Sequence, residues 1–198
     1  MTVARWRARV ATWVVLLCAA CTNFHAVDDR MYRSGQPSAE QLREWIDELG
    51  IKTVLRLRGG GPGNETYEQS AAPARDAGIA FVHVPISSRS YPSRADLLRL
   101  WDVFERAEYP VLVHCYWGAD RTGLATGLYV LQRTGDLDLA RDQLSFWPYL
   151  HTGLKGAWRM DRVFELYAPF ATTLSFPTWV RECYVNPEES PEPARRRS

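Results

Sequence analysis

Cysteine is scarce in this chain, with four in 198 residues, too few to build a disulfide scaffold. Net charge is scarce as well. Twenty-four Lys and Arg stand against 23 Asp and Glu, a formal +1, so the basic field expected of a nucleic-acid-binding surface is missing. The balance is uneven: Arg5, Arg7 and Arg9 fall within a first twenty residues that hold no acid, leaving 21 basic and 23 acidic residues, or −2, over the remainder. A membrane-spanning run is also lacking. The apolar stretch over residues 10–20 would make a helix of about 17 Å against a hydrocarbon core of about 30 Å. No His, Cys, Asp and Glu cluster has metal-ligand spacing, so neither a metal nor another cofactor is expected. Internal repeats are absent. What the chain does have is 46% hydrophobic and 24% charged residues, a composition that suits one globular domain of ordinary size. Eight Trp and nine Tyr suggest an aromatic core or an aromatic-rimmed cleft.

Three arginines followed by an apolar run ending in small residues have the pattern of an export signal over residues 1–20. Leu17-Cys18-Ala19-Ala20-Cys21 resembles a bacterial lipoprotein signal. That resemblance implies lipidation of Cys21 and peripheral attachment to the periplasmic side of a bacterial membrane. Cys18 stands where such signals usually carry Leu, and cleavage after Ala20 without lipidation is the alternative. The singly spaced arginines do not support a twin-arginine route. Residues 21–28 then read as an N-terminal linker, 29–185 as the folded domain and 186–198 as a disordered, solvated tail rich in Pro, Glu and Arg. Arg195, Arg196 and Arg197 could touch acidic lipid, but a solvated charge run is the preferred reading.

Between these ends the punctuation alternates strand and helix. Ser38 and Gln41 fit a capping box opening a helix that Gly50 closes. Residues 52–57 read as a strand, and 59–63, with four glycines and a proline, as a loop. A helix over 65–77 is expected to kink at Pro73 and end at Gly78. A strand follows over 79–84. Ser93 caps a helix with Leu97, Leu98, Trp101 and Phe104 on one face. Residues 111–113 form a short apolar strand, and 121–133 a helix stopped by Gly135. Further helices are expected near 137–146 and 157–170. This alternation predicts an α/β fold with a mainly parallel sheet and helices on both faces, its site beyond the carboxyl ends of the strands.

The chemistry concentrates in His114-Cys115-Tyr116-Trp117-Gly118-Ala119-Asp120-Arg121-Thr122-Gly123. A cysteine closes a strand, five residues intervene, and Arg, Thr and Gly open a helix. Backbone amides from Tyr116 through Ala119 to Arg121 can curl around one anion, supported by the positive end of the helix. Gly118 permits the tight path, and Arg121 can grip two phosphate oxygens at once. The same field favours a thiolate, making Cys115 a nucleophile near neutrality.

This pattern resembles the phosphate-binding loop of cysteine-dependent phosphatases of the tyrosine and dual-specificity superfamily. Residues 31–38, 52–58 and 82–86 are similar to its compact bacterial members. The resemblance implies the dual-specificity-phosphatase-like fold. It also implies a two-step reaction in which Cys115 takes the phosphoryl group as phosphocysteine while Arg121 and the loop amides hold the equatorial oxygens. Thr122 would donate to the departing thiolate, and His114 would orient the backbone of the nucleophile.

Many relatives place an acidic residue on the loop after the preceding strand; residues 85–93 here contain none. Asp120, inside the bowl, is the replacement, in a Cys-x4-Asp-Arg arrangement similar to phosphoinositide phosphatases and some secreted bacterial tyrosine phosphatases. Bound phosphate would help Asp120 hold its proton, as an acid catalyst must; the alternative is an ionised brace for Arg121. Asp96 is second choice as acid, though its place suits support of a helix N-terminus. His83 reads as a satisfied strand histidine rather than a catalyst.

Tyr116 and Trp117 either line the mouth and favour a flat substrate or simply pack its rim. Arg58 and Arg89, at strand ends on the site side, could read a second anionic group. The expected partner is a phosphorylated protein or a small or lipid phosphoester, met by a monomer. The loop lacks the lysines that accompany phosphoinositide preference. A non-catalytic phosphate-binding module and a sulfurtransferase are the competing classes. Cys183 could pair with Cys115 as a redox switch, although an unpaired buried thiol is the simpler reading.

Overall fold

Successive strand residues point to opposite faces of a sheet, and here the alternation separates two cores. On β3 (Thr53–Arg56), Val54 faces one cluster and Leu55 the other; on β5 (Val111–His114), Leu112 joins the first while Val111 and Val113 join the second. These strands belong to a five-stranded sheet in the computed structural model, which describes residues 22–188. The segment expected to be an export signal, Cys21 and Arg195–Arg197 lie outside the described residues. β1 (His25–Ala26) pairs antiparallel with β2 (Met31–Ser34); β2, β5, β3 and β4 (Ala80–His83) follow side by side, all parallel.

The first face is covered by α1 (Ala39–Leu49) and α2 (Glu65–Asp76), with Leu42, Trp45, Ile46 and Ala74 packed on Val54 and Leu112. The opposite face carries the larger core. There α3 (Arg94–Arg106), α4 (Asp120–Thr134), α5 (Leu137–Asp142), α6 (Trp158–Tyr167) and α7 (Phe176–Glu182) bury Leu100, Leu124, Leu128, Phe164 and Trp179. The expected α/β architecture is therefore present. Ser38 caps α1 reciprocally with Gln41, and Ser93 caps α3 with Asp96, which places Asp96 in helix support.

Several expectations are corrected. Residues 22–28 are no linker: Gly35 N–H donates to Thr22 O at 2.6 Å, and β1 extends the sheet. β2, which lacks a long apolar run, sits beside β5 because Tyr32 and Met31 alternate between the two cores while Arg33 is buried by hydrogen bonds. α2 runs as one helix through a buried Pro73. On α3 Leu100 is fully buried while Trp101 is only half-buried. The expected helix over 137–146 stops at Asp142, α7 was not anticipated, and residues 186–188 are held: Glu188 accepts from Arg159 Nε at 2.7 Å. Among the described residues, no helix is long and apolar enough to cross a membrane.

Candidate active site

β5 ends at His114, so Cys115 is the first residue beyond the carboxyl end of a central parallel strand; it is 2% exposed. The next four carbonyls are all tied outward. Tyr116 O accepts from Gln36 N–H at 3.1 Å, and Trp117 O from Asn23 Nδ2 at 3.0 Å. Gly118 O and Ala119 O accept from Arg33 Nη2 at 3.0 and 3.4 Å. Across each trans peptide the carbonyl of one residue lies opposite the N–H of the next, so the amides of Trp117 to Asp120 turn to the other side of the loop, and among the described residues those of Trp117, Gly118 and Ala119 have no loop or turn carbonyl as acceptor. A chain whose carbonyls are held outward presents its N–H groups inward, making a nest for an anion. α4 begins at Asp120, adding the positive end of a fifteen-residue helix.

Arg33 is the anchor of this arrangement. Its guanidinium is completely buried and also donates to Gln143 O (2.9 Å), Gln143 Oε1 (3.0 Å) and Thr126 Oγ1 (3.2 Å), with its carbon 3.6 Å from the Tyr149 ring centroid. Burial pulls its pKa down to about 10, against the opposing charges of Tyr149 and Cys115, so it remains a cation at neutral pH. Gly123 lets α4 approach this support closely, since a Cβ there would lie 2.7 Å from Gln143 O. Sequence reasoning missed both Arg33 and Asn23; in the short Met-Tyr-Arg-Ser stretch of β2 no local pattern marks Arg33 as buried.

Arg56, also completely buried, shapes the neighbouring loop by donating to the carbonyls of Arg58, Gly59 (2.9 Å) and Gly60 (3.0 Å). His83 lies in the same cluster, its Nε2 2.8 Å from Arg58 O, a satisfied strand histidine. His114 is fully buried between Arg56 and Ser34 of the flanking strands. Burial, then repulsion from Arg56, pushes its pKa down to about 3, so it is neutral next to Cys115. Neither ring nitrogen makes a full hydrogen bond, and only a weaker contact with the Cys115 backbone opposes the shift.

Arg121 reaches back with Nη1 3.4 Å from Ile86 O, while its buried Nε has no protein partner. Thr122 is buried with its hydroxyl 3.5 Å from Ser34 O. Asp120 Oδ1 is hydrogen-bonded to His151 Nδ1 at 2.8 Å, and the other ring nitrogen of His151 to Asp161 Oδ2, also at 2.8 Å. Burial disfavours charge on His151, yet hydrogen bonds with Asp120 and Asp161 outweigh it and raise its pKa to about 9. Asp120 thus sits at one end of an Asp120–His151–Asp161 row. His151 and Asp161 were not anticipated, because both lie about thirty or more residues beyond the loop.

Beside the loop is a cleft of about 580 Å³ lined by Gln36, Arg58, Tyr116, Trp117, Ala119, Asp120 and Leu150 among others; Cys115 and Arg121 do not line it. Tyr116 and Trp117 form an exposed edge-to-face pair 4.8 Å apart, and the Arg58 guanidinium lies 4.6 Å from the Tyr116 ring centroid. Arg89 is on the exposed 87–90 turn and does not line this cleft. Both described cysteines are free thiols; Cys183 ends α7, which packs on α3. Among the described residues, no group of three or more His, Cys, Asp and Glu could hold a metal ion.

Residues 20–146 match the family described as PTP-NADK, a DSP-PTPase phosphatase fused to NAD+ kinase. The chain belongs to this DSP-PTPase family. A beta-lactamase hydrolase-like protein of Xylella fastidiosa is 31% identical over 130 residues, 63% of this chain but 28% of that protein; the chain spans less than a third of that relative's length. Two solved structures share the DSP-PTPase fold. TpbA of P. aeruginosa superposes with a TM-score of 0.59 at 22% identity, covering 72% of this chain and 85% of that one. The core catalytic domain of the PP-IP phosphatase SIW14 of S. cerevisiae gives 0.57 at 23% identity, covering 73% and 85%.

Proposed function

We propose that this chain hydrolyses phosphomonoesters through a phosphocysteine intermediate on Cys115. The observation that carries the reading is the loop itself: four carbonyls tied outward, and a buried sulfur at the base of the amides this leaves facing inward. In the first step Cys115 Sγ attacks phosphorus and the bond to the ester oxygen breaks, with Asp120 giving that oxygen a proton. In the second, water attacks the same phosphorus, Asp120 takes up its proton, and the sulfur departs as thiolate. The amides and Arg121 hold the equatorial oxygens throughout. His114 positions the nucleophile's backbone from a neutral, buried ring, and Thr122 would turn its hydroxyl from Ser34 O to the leaving sulfur.

The substrate class is a phosphorylated protein or a small or lipid phosphoester. The exposed pair Tyr116 and Trp117 supports a flat leaving group. A second reading, phosphorylated inositol or lipid headgroups, is favoured by Arg58 in the cleft beside the loop, where it could read a further phosphate; the likeness to a PP-IP phosphatase agrees with it. Arg89 would contribute only through movement of its turn. Export, lipid attachment at Cys21 and a monomeric state complete the proposal, on the sequence pattern alone.

The test is a screen of phosphotyrosyl and phosphoseryl peptides, inositol phosphates and lipid phosphates with wild type and Cys115→Ser. The substituted enzyme should lose turnover and keep phosphoester binding. Undiminished turnover would refute the mechanism, persulfide formation by the wild type would indicate a sulfurtransferase, and binding without any wild-type turnover a phosphate-binding module.

A further inference from the structure

An acid catalyst must carry a proton at working pH, whereas a carboxylic acid of ordinary strength has lost its proton at pH 7. The row beside the loop supplies one. His151 is 5% exposed and both ring nitrogens lie 2.8 Å from carboxylate oxygens, Asp120 Oδ1 on α4 and Asp161 Oδ2 on α6. A neutral imidazole has a single N–H, so one of the two carboxylates would then face a lone pair. Both contacts are satisfied in either of two states that differ by one proton shift along the Nδ1–Oδ1 contact: an imidazolium donating to two carboxylates, or a neutral ring donating to Asp161 while Nδ1 accepts from a protonated Asp120.

We propose that His151 is the proton store of the reaction, loading Asp120 with the proton that the leaving oxygen receives and recovering it when water attacks. The inference rests on the phosphatase reading above. In the first step the His151 Nδ1–H bond breaks as an O–H bond forms on Asp120, and that proton passes to the ester oxygen as the S–P bond forms. In the second, the proton of the attacking water passes to Asp120 and on to Nδ1 as the S–P bond breaks. The ring ends as it began, and no further reactant is consumed. Asp161 holds the far side of the ring throughout, so His151 stays fixed whether charged or neutral.

The surroundings fit this role. Asp120 and Asp161 are the charged groups that act on His151, and they hold its proton well above the ordinary imidazole range. The ring side chain is 4% exposed, whereas Asp161 is 36% exposed, which gives the row contact with solvent on the side away from the loop. Asp161 also borders a shallow pocket with Arg141 and Glu165. His151 does not itself touch the phosphate loop's sulfur or Arg121; it is a positioning and proton-supplying residue acting through Asp120.

Imidazole ¹⁵N resonances of the wild-type protein test the ground state without any variant. Both nitrogens of His151 should show bound protons at pH 7; a neutral ring would overturn the proposal. Kinetics then test the role. His151→Gln keeps a hydrogen bond to Asp120 but no titratable proton. It should slow phenyl phosphate, a poor leaving group, by about 100-fold and slow 4-nitrophenyl phosphate by less than about threefold, since that leaving group needs little protonation. Asp161→Asn should move the alkaline limb of kcat/KM for phenyl phosphate downward by about one pH unit or more. Equal slowing of both esters with an unmoved limb would leave His151 as a mere brace. If the wild type turns over neither ester, the phosphatase reading fails instead, which the Cys115→Ser comparison identifies separately.

Discussion

Gly118 and Gly135 form a matched pair for testing how tightly the phosphate loop is built. Both have φ of +71°, so alanine at either incurs the left-handed penalty of about 1–2 kcal/mol. Their surroundings differ. A Cβ at Gly135 meets nothing within 4 Å, whereas one at Gly118 lies 2.5 Å from Gly35 N and 2.6 Å from Ser34 C. Those are backbone atoms, held by the pairing of Ser34 with His114 and by the bond from Gly35 N–H to Thr22 O. They cannot rotate away, and ordinary contact demands roughly 1 Å of main-chain movement. Overpacking of this kind adds about 1–3 kcal/mol. Gly135→Ala should therefore cost about 1–2 kcal/mol and Gly118→Ala about 2–5 kcal/mol, read from urea unfolding. Displacement of the loop amides should lower the Gly118→Ala rate by about 100-fold and weaken tungstate binding, with Gly135→Ala unaffected in both. Equal costs for the two, or full oxyanion binding by Gly118→Ala, would refute the claim that Gly35 and Ser34 set the path of the loop.

Two further outcomes follow from the buried charges. The pKa of His151 is raised from 6.5 to about 9 in the fold, so its stabilisation is complete below pH 6.5 and is lost as pH rises through 9. The shift corresponds to about 3 kcal/mol, or about 2 once solvent at the two carboxylates is discounted. The wild-type unfolding midpoint should fall between pH 6 and 10 by roughly 4–8 °C more than that of His151→Gln; parallel pH slopes would contradict the row's electrostatics. Arg33→Met removes the donor shared by Gly118, Ala119 and Gln143, and should destabilise the fold by about 3–5 kcal/mol and abolish tungstate binding. Arg33→Lys, with its charge but without the fork, should fall between; a loss under about 1 kcal/mol for Arg33→Met would show that the loop stands without it.

Read in order, residues 114–123 already contain a cysteine, an arginine and a helix start, because a nest and a helix N-terminus are made by neighbours along the chain. The capping pairs Ser38–Gln41 and Ser93–Asp96 were legible for the same reason: each spans three residues. Tertiary structure alone decided what holds the loop and what serves Asp120. Arg33 is 85 residues from Gly118, and Asn23 is 94 from Trp117; His151 is 31 beyond Asp120. Such partners meet because β2 is inserted beside β5 and α6 packs on α4, and no local spacing records either event. A buried arginine and a histidine between two aspartates look in sequence like ordinary surface polar residues. Only packing takes them out of water, and there their remaining hydrogen bonds determine where the loop lies and what faces Asp120.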